Sequence, residues 1–165
     1  MTTSLPQQAG IYELTLGTQR YTLQLPPNYV QDRAFPLVMA LHWGGPVSPF
    51  YGRGLLEGLV APGLAKLGAI IAAPDCLGQG WTNGVSETAV LSLLDHLQTH
   101  YAIDTHRTLL TGYSMGGKGT WYLAARHQDR FAAALPMAGV PQPDSAAVDW
   151  QIPLYAIHGA NDELF

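Results

Sequence analysis

With 47% hydrophobic and 12% charged residues over 165 positions, the chain has the apolar content of one globular core and is neither disordered nor low-complexity. A formal charge of −4 offers no basic stripe for phosphates, so neither nucleic acid nor an anionic membrane surface is expected as a partner. Cys76 is the only cysteine, no stretch reaches the length of a membrane span, and Met1 to Gly10 lacks the basic-then-apolar pattern of a secretion signal; the chain reads as soluble and cytoplasmic.

Ile11 to Leu16 and Arg20 to Leu25 alternate apolar and polar residues around Gly17-Thr18, which predicts an antiparallel hairpin ended by Pro26-Pro27-Asn28. Pro36 to His42 is almost continuously apolar, as in a strand buried on both faces of a parallel sheet. After Gly44-Gly45-Pro46, Leu55 to Leu67 predicts a helix that Pro62-Gly63 should break or bend. Gly68 to Ala73 predicts a second buried strand running into the loop Pro74 to Trp81. Ser86 is the expected N-cap of a helix that buries Val90, Leu94, Leu97 and Tyr101. A short strand at Thr108 to Thr111, a helix from about Met115 to His127, a strand around Phe131 to Met137 and a last strand at Pro153 to His158 follow, with Pro141 to Asp149 as a polar excursion. Such alternation predicts an α/β fold, a mainly parallel, doubly wound sheet flanked by helices.

The strongest chemical signal is Gly112-Tyr113-Ser114-Met115-Gly116-Gly117, set between a predicted strand and a predicted helix. A serine on so sharp a turn is held strained, and the residues two positions to either side must be small for the chain to pass; Gly112 and Gly116 meet that need. A hydroxyl at a helix N-terminus also lies near unpaired N–H groups and a positive dipole end, which favour the oxyanion of acyl transfer. Ser114 is therefore the candidate nucleophile, and Gly117 and Gly119 extend a small face for close packing of helix on sheet.

The loop Leu41-His42-Trp43-Gly44-Gly45-Pro46 ends the first buried strand, where a second oxyanion donor belongs; Met115 and Gly44 are the expected pair. His42 suits a loop-bracing role better than a catalytic one. Beyond the last strand, His158-Gly159-Ala160-Asn161-Asp162 puts Asp162 where a triad acid emerges, a solvated turn aspartate being the plain alternative. Trp43, Trp81 and Tyr113 are candidate walls of a substrate pocket, with simple packing as the alternative. His96 and His100 stand four apart on a helix, but Leu97 occupies the place of the glutamate a zinc-protease string needs, and no metal is expected.

Gly112 to Gly117, Leu41 to Pro46 and His158 to Asp162 together resemble the α/β-hydrolase superfamily, and Thr111 to Trp121 with Ala124 to Phe131 is similar to its predicted-esterase and prolyl-oligopeptidase-like branch. From about Ile11 onward, the resemblance implies an eight-stranded, mainly parallel sheet, a cofactor-free serine mechanism and a catalytic histidine beyond the last two strands. After Asp162 only Glu163, Leu164 and Phe165 remain, so the final strand, the histidine loop and the last helix of that pattern are expected to be missing. His42, His96, His100, His106, His127 and His158 all precede Asp162. The expectation is one hydrolase domain, 1–165, shortened at its C-terminus, with a fragment favoured over a silent pseudo-hydrolase or an oligomer that borrows its base. The expected reaction is hydrolysis of a small-molecule carboxylic ester through an acyl-enzyme, the base coming from outside these residues. A serine peptidase, a dienelactone-type hydrolase and a catalytically silent binding module are the alternatives.

Overall fold

The computed structural model describes residues 5–46, 48–143 and 147–164, so part of the opening segment and part of the Pro141 to Asp149 excursion lie outside the described residues. The hairpin is present: β1 (Gly10–Leu16) pairs antiparallel with β2 (Gln19–Leu25), and Gly17 takes φ +59 in the two-residue turn. β3 (Phe35–Leu41) and β4 (Ile70–Pro74) are the two buried strands, and they pair in parallel.

Between them, helical backbone starts at α1 (Gly52–Leu55), earlier than the apolar pattern suggests, and widens into a π turn over Leu56–Val60 before α2 (Ala61–Gly63). The widening falls just ahead of Pro62, which has no N–H to offer the preceding turn. A 3-10 turn over Ala65–Leu67 then ends on Gly68 in the left-handed region, φ +55.

α3 (Gly84–His100) buries Val90, Leu93, Leu94 and Leu97. Its N-cap is Asn83, not Ser86: the Asn83 Oδ1 accepts from the N–H groups of Val85 and Ser86, both at 3.1 Å. Ser86 lies inside the first turn, and its hydroxyl donates to the Gly80 carbonyl at 2.6 Å instead.

β5 runs over Ile103–Tyr113, well beyond the expected Thr108 to Thr111. Its first half, Asp104 to Arg107, is polar and mostly exposed, so it carries no apolar signal, and the pairing with β3 shifts register between Phe35 and Leu37. α4 (Met115–Arg126) and β6 (Ala133–Met137) follow as expected. Pro153 to His158 is less regular than a full strand: it touches β6 through two separate parallel bridges, Leu154 with Ala134 and Ile157 with Met137. Its other edge has no strand beside it among the described residues, and Tyr155 is 70% exposed.

The sheet order is β1-β2-β4-β3-β5-β6, six strands among the described residues where the resemblance implies eight. Helices cover both faces, because β3 alternates. Leu37, Met39 and Leu41 join Leu93, Leu94, Leu97 and Leu123 of α3 and α4 in one core, while Val38 and Ala40 join Leu55, Leu56 and Val60 in the other. On this second face an apolar hollow of about 170 Å³ lies between Leu59, Val60 and Leu64 on one side and Leu135, Met137 and Ile157 on the other.

Glu87 ties α3 to α4. It accepts from the Tyr122 hydroxyl at 2.7 Å, from Arg126 Nε at 3.1 Å and from His127 Nε2 at 2.6 Å. Burial pushes the Glu87 carboxyl up, but the bonds from Tyr122, His127 and Arg126 together outweigh that, and its pKa falls below the ordinary glutamate value. A depressed folded-state pKa stabilises above the unfolded pKa, and that contribution is lost as pH falls through the folded value. Urea denaturation should therefore find Glu87→Gln less stable than wild type at neutral pH, with the gap closing as pH falls below the ordinary glutamate value. A gap independent of pH would contradict this account.

Candidate active site

β5 delivers the chain to Tyr113, and α4 begins at Met115, which leaves Ser114 alone to make the turn. It does so at φ +56, ψ −114, a region that non-glycine residues rarely adopt and that costs on the order of 1–3 kcal/mol. Two backbone bonds hold it there: the Ser114 N–H donates to the Met137 carbonyl at 2.9 Å, and the Ser114 carbonyl accepts from the Lys118 N–H at 3.0 Å. The serine side chain makes no capping bond to its own helix.

The turn can form only because its neighbours lack side chains. A β-carbon on Gly116 would overlap the Leu41 carbonyl oxygen, and one on Gly112 would overlap the Gly116 carbonyl and stand 2.8 Å from the Leu41 oxygen. The helix start is thus wedged against the end of β3, which brings Met115 beside the loop that follows β3. A β-carbon built on Gly44 would lie 3.7 Å from Met115 Sδ. The first N–H groups of α4 have no intrahelical acceptor and open toward this place.

His42 sets the shape of that loop. It is wholly buried, its Nε2 accepts from the Cys76 N–H at 3.0 Å, and this leaves the proton on Nδ1, which donates to the Trp43 carbonyl at 2.7 Å. Burial lowers the His42 pKa, only partly offset by the Trp43 bond and by Asp75, so the ring is neutral at physiological pH. The Trp43 carbonyl and the Gly44 N–H belong to one planar peptide and point in opposite directions, so His42 aims the Gly44 N–H.

Trp43 stands edge-on to Tyr113, ring centres 6.3 Å apart, and both have solvent-facing surface beside Ser114. Trp81 is placed differently from the expectation. It is 1% exposed, its indole N–H donates to the His42 carbonyl at 2.9 Å, and it fills the space left by Gly119, where a β-carbon would overlap it. It props the loop from within the core.

An open cleft of about 630 Å³ begins at Tyr113, passes Met137, Ala138 and Ile157, and ends at His158 and Asp162. Asp162 Oδ2 lies 3.3 Å from His158 Nε2, and its Oδ1 accepts from the Leu164 N–H at 2.9 Å. Two features of the site are not legible in the sequence. Asp75, buried beneath the loop, accepts from the Phe50 and Gly52 N–H groups at 2.8 and 3.4 Å and from Arg20 Nε at 3.2 Å. Tyr51, held between those two amides, accepts from the Trp43 indole N–H at 3.0 Å. Neither belongs to a recognisable string; the only signal was an aspartate ending an apolar strand.

The sheet order, the antiparallel hairpin at one edge and the helices on both faces define an α/β-hydrolase domain. The chain belongs to the dienelactone hydrolase family, whose model matches residues 64–165. It is 28% identical to probable feruloyl esterase C of Aspergillus terreus, across 98% of this chain and 64% of that protein. It is 27% identical to feruloyl esterase C of Emericella nidulans, across 89% of this chain and 56% of that protein. Among solved structures it superposes on a thermostable esterase with a TM-score of 0.81 at 25% identity, covering 93% of this chain and 48% of that one. The chain thus spans between about half and two thirds of the length of these proteins.

Two glycine substitutions separate close approach from simple presence of glycine. Gly116→Ala should abolish soluble folded protein or cost more than about 4 kcal/mol in chemical denaturation, because backbone oxygen stands where the methyl must go. Gly58→Ala, with nothing within 4 Å, should be neutral or stabilising by up to about 1 kcal/mol. Equal tolerance at both sites would contradict the packing described.

Proposed function

We propose that this chain carries the nucleophile and the acid of a carboxylic-ester hydrolase. The observation that carries the reading is Ser114 at φ +56 on the turn between β5 and α4, its hydroxyl uncommitted to the helix and a cleft opening beside it. The Ser114 hydroxyl attacks the ester carbonyl as its proton passes to an imidazole. The N–H groups of Met115 and Gly44 take the developing oxyanion. The tetrahedral intermediate expels the alcohol, which receives that proton, and water then attacks the acyl-enzyme by the same route to release the acid and restore the serine.

Asp162 orients the imidazole, which on this reading comes from outside the 165 residues. Support comes from the greater length of the relatives and from the His158 ring, whose Nε2 lies 3.3 Å from the Asp162 carboxylate, in keeping with an aspartate open to an imidazole. Trp43 and Tyr113, edge to face beside Ser114, suit an aromatic acyl group, in keeping with relatives named feruloyl esterases. The family match favours a second reading, a hydrolase of cyclic esters, which needs the same nucleophile and oxyanion cradle.

In the full-length protein, Ser114→Ala should lower kcat on a p-nitrophenyl ester by about 10⁴-fold or more without loss of folding. Asp162→Asn should impair turnover strongly, while His158→Ala should keep turnover of the wild-type order. Full activity in Ser114→Ala would overturn the reading, and a His158→Ala loss as deep as that of Ser114→Ala would make His158 the base. Turnover of a dienelactone in preference to feruloyl and simple aryl esters would favour the cyclic-ester reading.

A further inference from the structure

The loop that follows β3 offers its Gly44 N–H from a stretch containing two consecutive glycines, and glycine has no side chain by which to be held. Two peptide planes meet at Gly44. The first, Trp43–Gly44, is held by His42 through the Trp43 carbonyl at 2.7 Å. The second, Gly44–Gly45, leads into Gly45 at φ +133, and its carbonyl faces the hydroxyl of Tyr51 at 3.5 Å.

We propose that Tyr51 is a positioning residue for the hydrolytic reaction: by holding the peptide plane that follows Gly44 it stops the glycine pair from swinging, so that the Gly44 N–H, aimed by His42 through the preceding plane, stays on the oxyanion; this rests on the esterase reading above. The hydroxyl has one proton to give. Its acceptor side is filled by the Trp43 indole N–H at 3.0 Å, which turns that proton toward the Gly44 carbonyl. A distance of 3.5 Å is long for such a bond, as contacts that tighten only around a bound substrate often are in the free protein. The hydroxyl also crowds residue 45: a β-carbon there would stand 2.8 Å from it, so any side chain would displace Tyr51.

Tyr51 is itself held rigidly. The amides on either side of it, Phe50 and Gly52, both donate to the buried Asp75 carboxylate, which Arg20 also bonds. Phe50 is kept at φ +59, outside the usual region for a bulky residue, and Gly52 lies so near β4 that a β-carbon would come 2.7 Å from the Ala73 carbonyl. The ring stands edge-on to His42 at 4.9 Å and to Trp43 at 6.1 Å. The chain of support thus runs from Arg20 through Asp75 to Tyr51, and from Tyr51 to both Trp43 and Gly44.

Tyr51→Phe removes the hydroxyl and keeps the ring, so the packing on His42 and Trp43 persists. In the full-length protein, its kcat on a p-nitrophenyl ester should fall about tenfold, short of the hundredfold or more lost when an oxyanion donor itself is deleted, with KM nearly unchanged. Affinity for an aryl trifluoromethyl ketone, whose hemiketal oxyanion occupies the same cradle, should weaken by a similar factor, and the melting temperature should hold. A wild-type kcat in Tyr51→Phe would overturn the inference and leave the esterase reading standing. A variant that unfolds, or whose KM shifts as much as its kcat, would assign Tyr51 to general packing and overturn it equally. No Ser114-dependent turnover in the wild-type protein would remove the esterase reading and this inference with it.

Discussion

The start of α4 and the end of β3 approach so closely that no side chain fits between them. At Gly116 the place of a β-carbon is already taken by the Leu41 carbonyl oxygen, and at Gly112 by the Gly116 carbonyl. This contact forces the chain to reverse within one residue, and that residue is Ser114, held at a positive φ by amide bonds to Met137 and from Lys118. It also fixes where the amide end of α4 lies relative to the loop after β3. Strain of order 1–3 kcal/mol at one residue persists only when its surroundings over-determine it, and here strands β3, β5 and β6 all do so.

The loop facing that turn is built from the opposite direction. Nothing in Gly44-Gly45 can pack, so its shape comes from groups beneath it: His42 on the Trp43 carbonyl, Trp81 on the His42 carbonyl, and Cys76 on the His42 ring. Burial keeps His42 neutral, which lets one ring nitrogen accept while the other donates; a protonated ring would lose its bond from Cys76. Asp75, one residue earlier, ties the start of α1 to β2 through Arg20. A short segment after β4 therefore organises the loop after β3, which is why the two halves of the candidate site hold together without touching in sequence.

Much of the fold was legible because its signals are local. Continuous apolar runs gave β3 and β4, alternation gave the hairpin, and the glycine pattern around Ser114 gave the tight turn. The remaining elements depend on contacts that local sequence does not carry. β5 is longer than expected because Ile103 pairs with Phe35 ahead of a register shift, and the exposed side chains of Thr105 to Arg107 between the two paired stretches give no apolar signal. Asn83 caps α3 where Ser86 also fits the local rule: Asn83 Oδ1 takes the Val85 and Ser86 N–H groups, while the Ser86 hydroxyl donates to the Gly80 carbonyl. Trp81 is taken inward by the space at Gly119, thirty-eight positions away, and Tyr51 and Asp75 gain their roles from partners that no spacing rule connects.

The central claim is that the constrained hydroxyl of Ser114 is the reactive group of this domain. The most direct measurement is intact-mass and peptide-mapping spectrometry of the full-length protein after treatment with an alkyl fluorophosphonate. The account predicts one phosphonyl group per chain, carried on Ser114. Absence of an adduct, or an adduct carried by another side chain with Ser114 unmodified, would contradict it.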